Sequence, residues 1–216
     1  MAWTKPPEGW NQQTTERIAS SVQARRKAKK MTAAQLADRT AELGHPLSRS
    51  VISDIETGRK RSLEVGELIV LAAALGVPPI VLIYPDIPDG EVEALPGWQV
   101  PSGAALDWFS GDGALSRTRT ADDITHFETL PVDRDQQELV RAVRAYRRTK
   151  RALMRMIADE MIADDSRTPA EIEAGRRIQR QLSEEVERLR ERIGELGGVI
   201  DEDPLGIQEE SGRDGA

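Results

Sequence analysis

The chain has 216 residues, of which 31% are charged, 38% hydrophobic and 4% aromatic, a balance that allows one or two domains with an ordinary core and much solvated surface. It has no cysteine and only two histidines, His45 and His126, which excludes disulfide frameworks, thiolate metal sites and HExxH zinc chemistry, so neither a metal nor a cofactor is expected. The net charge of −7 is unevenly spread: residues 1–61 carry 12 Lys+Arg against 6 Asp+Glu, whereas residues 62–132 carry 2 against 11. Because electrostatic contact is decided within a Debye length of about 8 Å, the basic first third is able to meet a polyanion inside an acidic protein.

The apolar run from Leu68 to Leu82 is broken by Gly76, Pro78 and Pro79 and is too short to span a bilayer, and the first residues lack the apolar core of a signal peptide. A soluble, cytoplasmic protein with no membrane partner is the expectation.

In chain order, residues 1–14 read as an arm and the spacing predicts a first helix over Thr15 to Lys30. A second helix opens at Thr32, where Thr32-Ala33-Ala34-Gln35 fits a capping box, and stops at Gly44. His45-Pro46-Leu47 forms a turn, since proline cannot continue a helix. A third, short helix is capped by Ser48 and stopped by Gly58; it buries Val51, Ile52 and Ile55 and turns Arg49, Ser50, Ser53 and Asp54 outward. After the basic Arg59-Lys60-Arg61, Ser62 is the expected cap of a fourth helix ended by Gly76, and Pro78 to Tyr84 is the expected fifth. These elements make residues 15–85 one domain.

Residues 86–132 are punctuated by Pro88, Gly90, Pro96, Gly97, Pro101, Gly103, Gly111 and Gly113, which predicts an irregular connector. Its Trp98, Trp108 and Phe109 are too apolar for a free linker and are expected to dock on the helical domain or on another subunit. Within 133–200, Leu139, Val143, Tyr146, Lys150, Leu153 and Ile157 follow heptad spacing with one polar interruption. A second seam of Ile172, Gly175, Gln179, Leu182, Val186, Leu189, Ile193 and Leu196 follows Thr168-Pro169-Ala170-Glu171, a capping box with proline at the first helical position. Two long helices joined by Asp164 to Arg167 are therefore expected as a hairpin or a coiled coil. Leu139, Val143, Leu153, Ile157, Leu182, Val186, Leu189, Ile193 and Leu196 are the candidate oligomerisation residues, and residues 201–216 an acidic disordered tail.

Three blocks, Met31-Thr32-Ala33-Ala34-Gln35-Leu36-Ala37, Ser48 to Gly58, and Leu68-Ile69-Val70-Leu71-Ala72-Ala73-Ala74-Leu75-Gly76-Val77, together resemble the Cro/C1 (XRE) family of helix-turn-helix regulators, which includes phage repressors. The resemblance covers about residues 15–84. It implies an all-α protein with a five-helix, lambda-repressor-like domain followed by the connector and the carboxy-terminal helices. By the same resemblance Arg49, Ser50 and Asp54 match base-reading positions flanked by Ser48 and Ser53, and Arg26 and Glu56 match a structural ion pair. Arg59, Lys60 and Arg61 fall in a loop that contacts phosphate, and Ser48 joins them as a phosphate candidate. The chemistry agrees: an arginine pairs with a guanine edge, a serine donates or accepts, and an aspartate accepts from a cytosine amino group. Two departures stand out, Ala33 where many members carry a polar phosphate contact, and a longer Asp38 to Leu47 segment.

The expected partners are double-stranded DNA, as a pseudo-palindromic operator, and a second copy of the chain, because two half-sites multiply the discrimination of one short helix. The leading expectation is a dimeric repressor of phage, prophage or related bacterial type that inserts Ser48 to Thr57 into the major groove. The alternative is an antitoxin with autoregulatory DNA binding. A self-cleaving repressor protease needs a Ser/Lys dyad on a β-rich domain. Lys150 is the only lysine after Lys60, in a helical context, so no enzyme activity is expected.

Overall fold

The computed structural model describes residues 9–121, 124–162 and 168–200. Residues 1–8 of the expected arm, the expected Asp164 to Arg167 junction and the expected tail lie outside the described residues. The chain divides into two compact units, residues 1–131 and 132–216, and the fold is mainly helical with two small sheets.

The first unit begins with α1 (Trp10–Ala28), α2 (Ala33–Glu42), α3 (Arg49–Glu56), α4 (Val65–Leu75) and α5 (Ile80–Ile83). Helix α1 starts five residues before the expected Thr15, so residues 10–14 are helix rather than arm. Thr32 caps α2 and Gln35 reciprocates with its side chain on the Thr32 N–H at 2.8 Å. Gly44, Gly58 and Gly76 take left-handed φ values of 81°, 72° and 61° just past the ends of α2, α3 and α4. The α4 cap differs from the expectation. It falls at Glu64 instead of Ser62, because the Glu67 carboxylate reaches back to the Glu64 N–H at 2.9 Å. Val22, Leu36, Ile52, Ile55, Leu71, Leu75 and Leu82 are almost fully removed from water and join α1–α5 into one core.

Residues 86–132 are more regular than the irregular connector expected. Strands β1 (Glu91–Leu95) and β2 (Trp98–Pro101) pair antiparallel across a turn in which Gly97 has φ 74°, and α6 (Ser102–Phe109) follows directly. The prolines and glycines that break helical periodicity serve as punctuation between short strands. Strands β3 (Ser116–Ala121) and β4 (Ile124–Thr129) form a second antiparallel hairpin. Val92, Ala94, Trp98, Val100, Ala105, Leu115 and Tyr84 make a second core. Tyr84 follows α5 directly, and the Arg17 guanidinium of α1 donates to the Ile83 carbonyl at 2.9 Å and to the Glu93 carbonyl at 3.3 Å, so the strands are built onto the helical domain. Burial lowers the pKa of Arg17 against the attraction of Tyr84 and Glu93, and burial raises that of Tyr84.

The second unit is a hairpin of α7 (Arg134–Ile162) and α8 (Pro169–Glu195), pinned by Arg192 Nε donating to Glu138 Oε1 at 2.7 Å. Thr168 caps α8 and Glu171 completes the box, with Pro169 in the first turn. Pairing occurs within the chain, and it draws on the expected seam at a slightly rotated register. Ala142, Leu153, Val186 and Ile193 are the buried side chains of this unit among the described residues, while Leu139, Val143, Ile157, Leu182, Leu189 and Leu196 are half-buried. Leu153, Val186 and Ile193 are therefore spent inside the hairpin, which leaves the half-buried six as oligomerisation candidates. Lys150, the polar interruption, lies 5.9 Å from the Tyr146 ring centroid.

Candidate nucleic-acid interface

The site is built on α3, and the way α3 is seated decides what it presents. On its inner side Ile52 and Ile55 are 0% and 1% exposed. The turn before it is fixed by buried Thr40, whose hydroxyl accepts the Leu47 N–H at 3.0 Å and donates to the Ala37 carbonyl at 2.8 Å. The longer Asp38 to Leu47 segment is thus closed by one buried hydroxyl, and α2 and α3 stay packed together. Ser48 caps α3 by accepting the Val51 N–H at 3.2 Å, and its hydroxyl also meets that of Ser50 at 2.7 Å.

With the inner face buried, Arg49 and Ser50 project into solvent from the first turn of α3, and Ser53 and Asp54 are half-buried one turn later. Asp54 is not free: its carboxylate accepts from Arg59 Nε at 2.8 Å. In the loop before α4, Lys60 pairs through its ammonium with the Glu67 carboxylate, while Arg61 is exposed. Arg59 and Lys60 are thus both engaged with carboxylates, and Lys60 is committed to a side chain that is only 8% exposed. Burial pushes the Glu67 carboxyl upward, but the Lys60 ammonium, the Glu64 N–H and nearby His45 outweigh it, and the group sits below the usual carboxylate range.

Arg26 and Glu56 form a two-pronged pair. Arg26 Nε and Nη2 each donate to one Glu56 carboxylate oxygen at 2.6 Å, and Nη1 donates to the Met31 carbonyl at 2.5 Å. The side chains are 13% and 6% exposed, so this pair joins α1, the α2 approach and the end of α3 in a poorly solvated place. The hydrogen bonds that Arg26 donates to Glu56 raise the Arg26 pKa, outweighing its burial. The residue that sequence reasoning passed over is Glu67. Its signal was the Glu64-x-x-Glu67 spacing, a capping-box pattern with glutamate in place of serine or threonine at the cap.

A family model described as helix-turn-helix matches residues 22–82, the stretch that runs from within α1 through α3 and α4 into α5. Residues 22–82 are a helix-turn-helix domain of the Cro/C1 type. No curated protein and no solved structure matches the chain. A helix-turn-helix domain over residues 22–82 supports a role in DNA binding and transcriptional regulation. Its match ends before β1, so the two hairpins and the α7–α8 unit lie outside it. No helix among the described residues is long and apolar enough to cross a membrane.

Proposed function

We propose that the protein is a dimeric transcriptional repressor that places α3 in the major groove of each half of a pseudo-palindromic operator. The observation that carries this reading is the division of α3: Ile52 and Ile55 are removed from water while Arg49 and Ser50 are exposed on its first turn, away from that buried face. A helix held by its core face and open at its first turn is what base reading needs, since the groove admits a helix and its edges are read by short polar side chains and arginine.

Arg49, Ser50, Ser53 and Asp54 are the base-reading residues in this reading, with Asp54 orienting Arg59 or accepting from a cytosine amino group. Ser48, Arg59, Lys60 and Arg61 hold the backbone. Arg61 meets phosphate directly, whereas Arg59 and Lys60 exchange a carboxylate for a phosphate on binding, and such contacts set position rather than sequence. Arg26 and Glu56 keep α3 seated and do not touch DNA.

Dimerisation through α7 and α8 is supported by how little the hairpin covers itself. Long helices gain most of their stability from packing, yet only Ala142, Leu153, Val186 and Ile193 are buried here among the described residues, and Ile178 and Met161 are 51% and 83% exposed. A second hairpin closing a four-helix arrangement covers the half-buried leucines.

Genome-wide mapping of bound DNA followed by footprinting tests the reading. The expected result is paired half-sites spaced by about one helical turn, 34–36 Å, or a multiple of it, near promoters whose output rises when the gene is deleted. A single unpaired site, or output that falls on deletion, contradicts the dimeric repressor.

A further inference from the structure

The β3–β4 hairpin stands apart from the rest of the first unit in its composition and in what it leaves uncovered. Its register pairs Ser116 with Thr129, Arg117 with Glu128 and Thr118 with Phe127, so one face carries hydroxyl groups and Phe127, and the other carries Arg117, His126 and Glu128. The charged face is fastened to the β1–β2 hairpin. Arg117 stacks on the Trp98 ring at 4.3 Å from its centroid, donates to the Gly97 carbonyl at 2.6 Å and pairs with Glu128 at 2.6 Å. The other face is bare, with Phe127 81% exposed. Among the described residues β4 pairs only with β3, so its far edge offers unpaired backbone donors and acceptors.

Exposed edges are normally blunted by charged side chains, lysine above all, by proline or by a bulge, and the one carboxylate of this strand, Glu128, is already neutralised by Arg117. Thr125-His126-Phe127-Glu128-Thr129 has no lysine and no proline, and its register with β3 runs without a break. It also suits itself. When two β4 strands meet antiparallel about a twofold axis at Phe127, Phe127 faces Phe127, Thr125 faces Thr129, and a His126 ring N–H faces a Glu128 carboxylate on both sides of the axis. Moving the axis one step toward the amino end sets His126 against His126 and Phe127 against threonine. Moving it one step toward the carboxy end sets two Glu128 carboxylates against each other, which cross-strand pairing disfavours.

We propose that the free edge of β4 pairs antiparallel with β4 of a second copy of this chain, centred on Phe127, to give a continuous four-stranded sheet. The joined sheet removes two open edges and covers the aromatic ring, and a lone two-stranded hairpin gains the neighbours it lacks. This contact is separate from the α7–α8 unit and does not depend on it. With both contacts made, a chain links to one copy through its strands and to the same or another copy through its helices.

Because the chain has no cysteine, the register is testable by single substitutions in the full-length protein under mild oxidation. Phe127→Cys is expected to form a disulfide-linked dimer at least about ten times faster than Thr118→Cys, which lies on the same face but about 14 Å from its own copy across the joined sheet. Thr125→Cys and Thr129→Cys are expected to cross-link when mixed and not when oxidised separately. Equal rates for Phe127→Cys and Thr118→Cys, or a mixture no faster than either variant alone, overturn the proposal. If light scattering then still reports a dimer, the helical contact stands and the strand contact falls.

Discussion

At Arg49 the backbone gives a guanidinium on the first turn of α3, exposed and with its helix held from below by Ile52 and Ile55. Arg49→Ala is expected to weaken specific operator binding by about 1–3 kcal/mol and to relax preference at one base position, because a two-pronged base contact is lost. Arg61→Ala is the comparison of choice, since Arg61 is exposed in the same loop as the phosphate candidates; it should weaken all sequences alike and reduce the salt dependence. Titrations across operator variants check this, and equal, uniform losses for both variants count against base reading by Arg49. Glu56 tests a different kind of residue. Its carboxylate takes two hydrogen bonds from Arg26 in a setting where the partners are 13% and 6% exposed. Glu56→Ala therefore leaves an arginine without its counter-charge and should destabilise the domain by about 3 kcal/mol, seen as a lower melting temperature with no change in DNA preference once folded. An unchanged melting temperature contradicts that role.

Among the elements, those governed by local chemistry were legible in the sequence and those governed by long-range pairing were not. The α2 and α8 starts, at Thr32 and Thr168, are set by side chains three residues away, and the stops at Gly44, Gly58 and Gly76 by a backbone conformation that glycine adopts without strain. The β1–β2 hairpin was hidden because Glu91-Val92-Glu93-Ala94-Leu95 is a short period-two run beside a proline and a glycine, and its partner strand supplies half of the pattern. Within the site, Arg49, Ser50 and the Arg26–Glu56 pair could be placed from helical spacing and family likeness. The partners of Asp54 and Lys60 could not, because they depend on how the loop before α4 folds back. The Lys60–Glu67 contact has a consequence for pH. Glu67 ionises in the folded domain below its ordinary 4.5, so it binds fewer protons there than in the unfolded chain. Its contribution is complete above about pH 4.5 and is lost as pH falls through the depressed folded value. Glu67→Gln should accordingly flatten the acid limb of the stability curve below that pH, and Lys60→Ala should flatten it too, because without the cation burial brings the folded value back toward the ordinary one and the difference in proton binding shrinks. Melting temperatures between about pH 3 and 7 measure this. An acid limb identical in all three proteins rules out the linkage.

For the whole molecule, the question is what the α7–α8 unit contributes beyond the helix-turn-helix domain. Two helices of 29 and 27 residues pack along a single line of contact, and a single line leaves the flanks of each helix exposed. Leu182 and Leu189 of α8, Leu196 just past its end, and Leu139, Val143 and Ile157 of α7 are half-buried. Glu184, Glu187, Arg188 and Glu191, in contrast, are exposed or line an open surface depression. Apolar flanks of this kind become a core when a second hairpin is added, and the gain to DNA binding then comes from geometry: once one α3 is bound, its partner searches at an effective concentration set by the tether instead of by bulk solution. Ending the chain at Pro131, where the first compact unit ends, should leave the helical content and melting of residues 9–131 intact yet lower operator affinity by about a hundredfold. Leu182→Glu together with Leu189→Glu in the full chain should do the same without removing any residue, because two carboxylates placed on the flank cannot be desolvated in a helical core. Light scattering and operator titration of the three proteins are the measurements. A shortened chain that remains dimeric with undiminished operator affinity would remove α7 and α8 from the dimer contact, and cross-linking at Phe127 in that shortened chain would show whether β4 carries it instead.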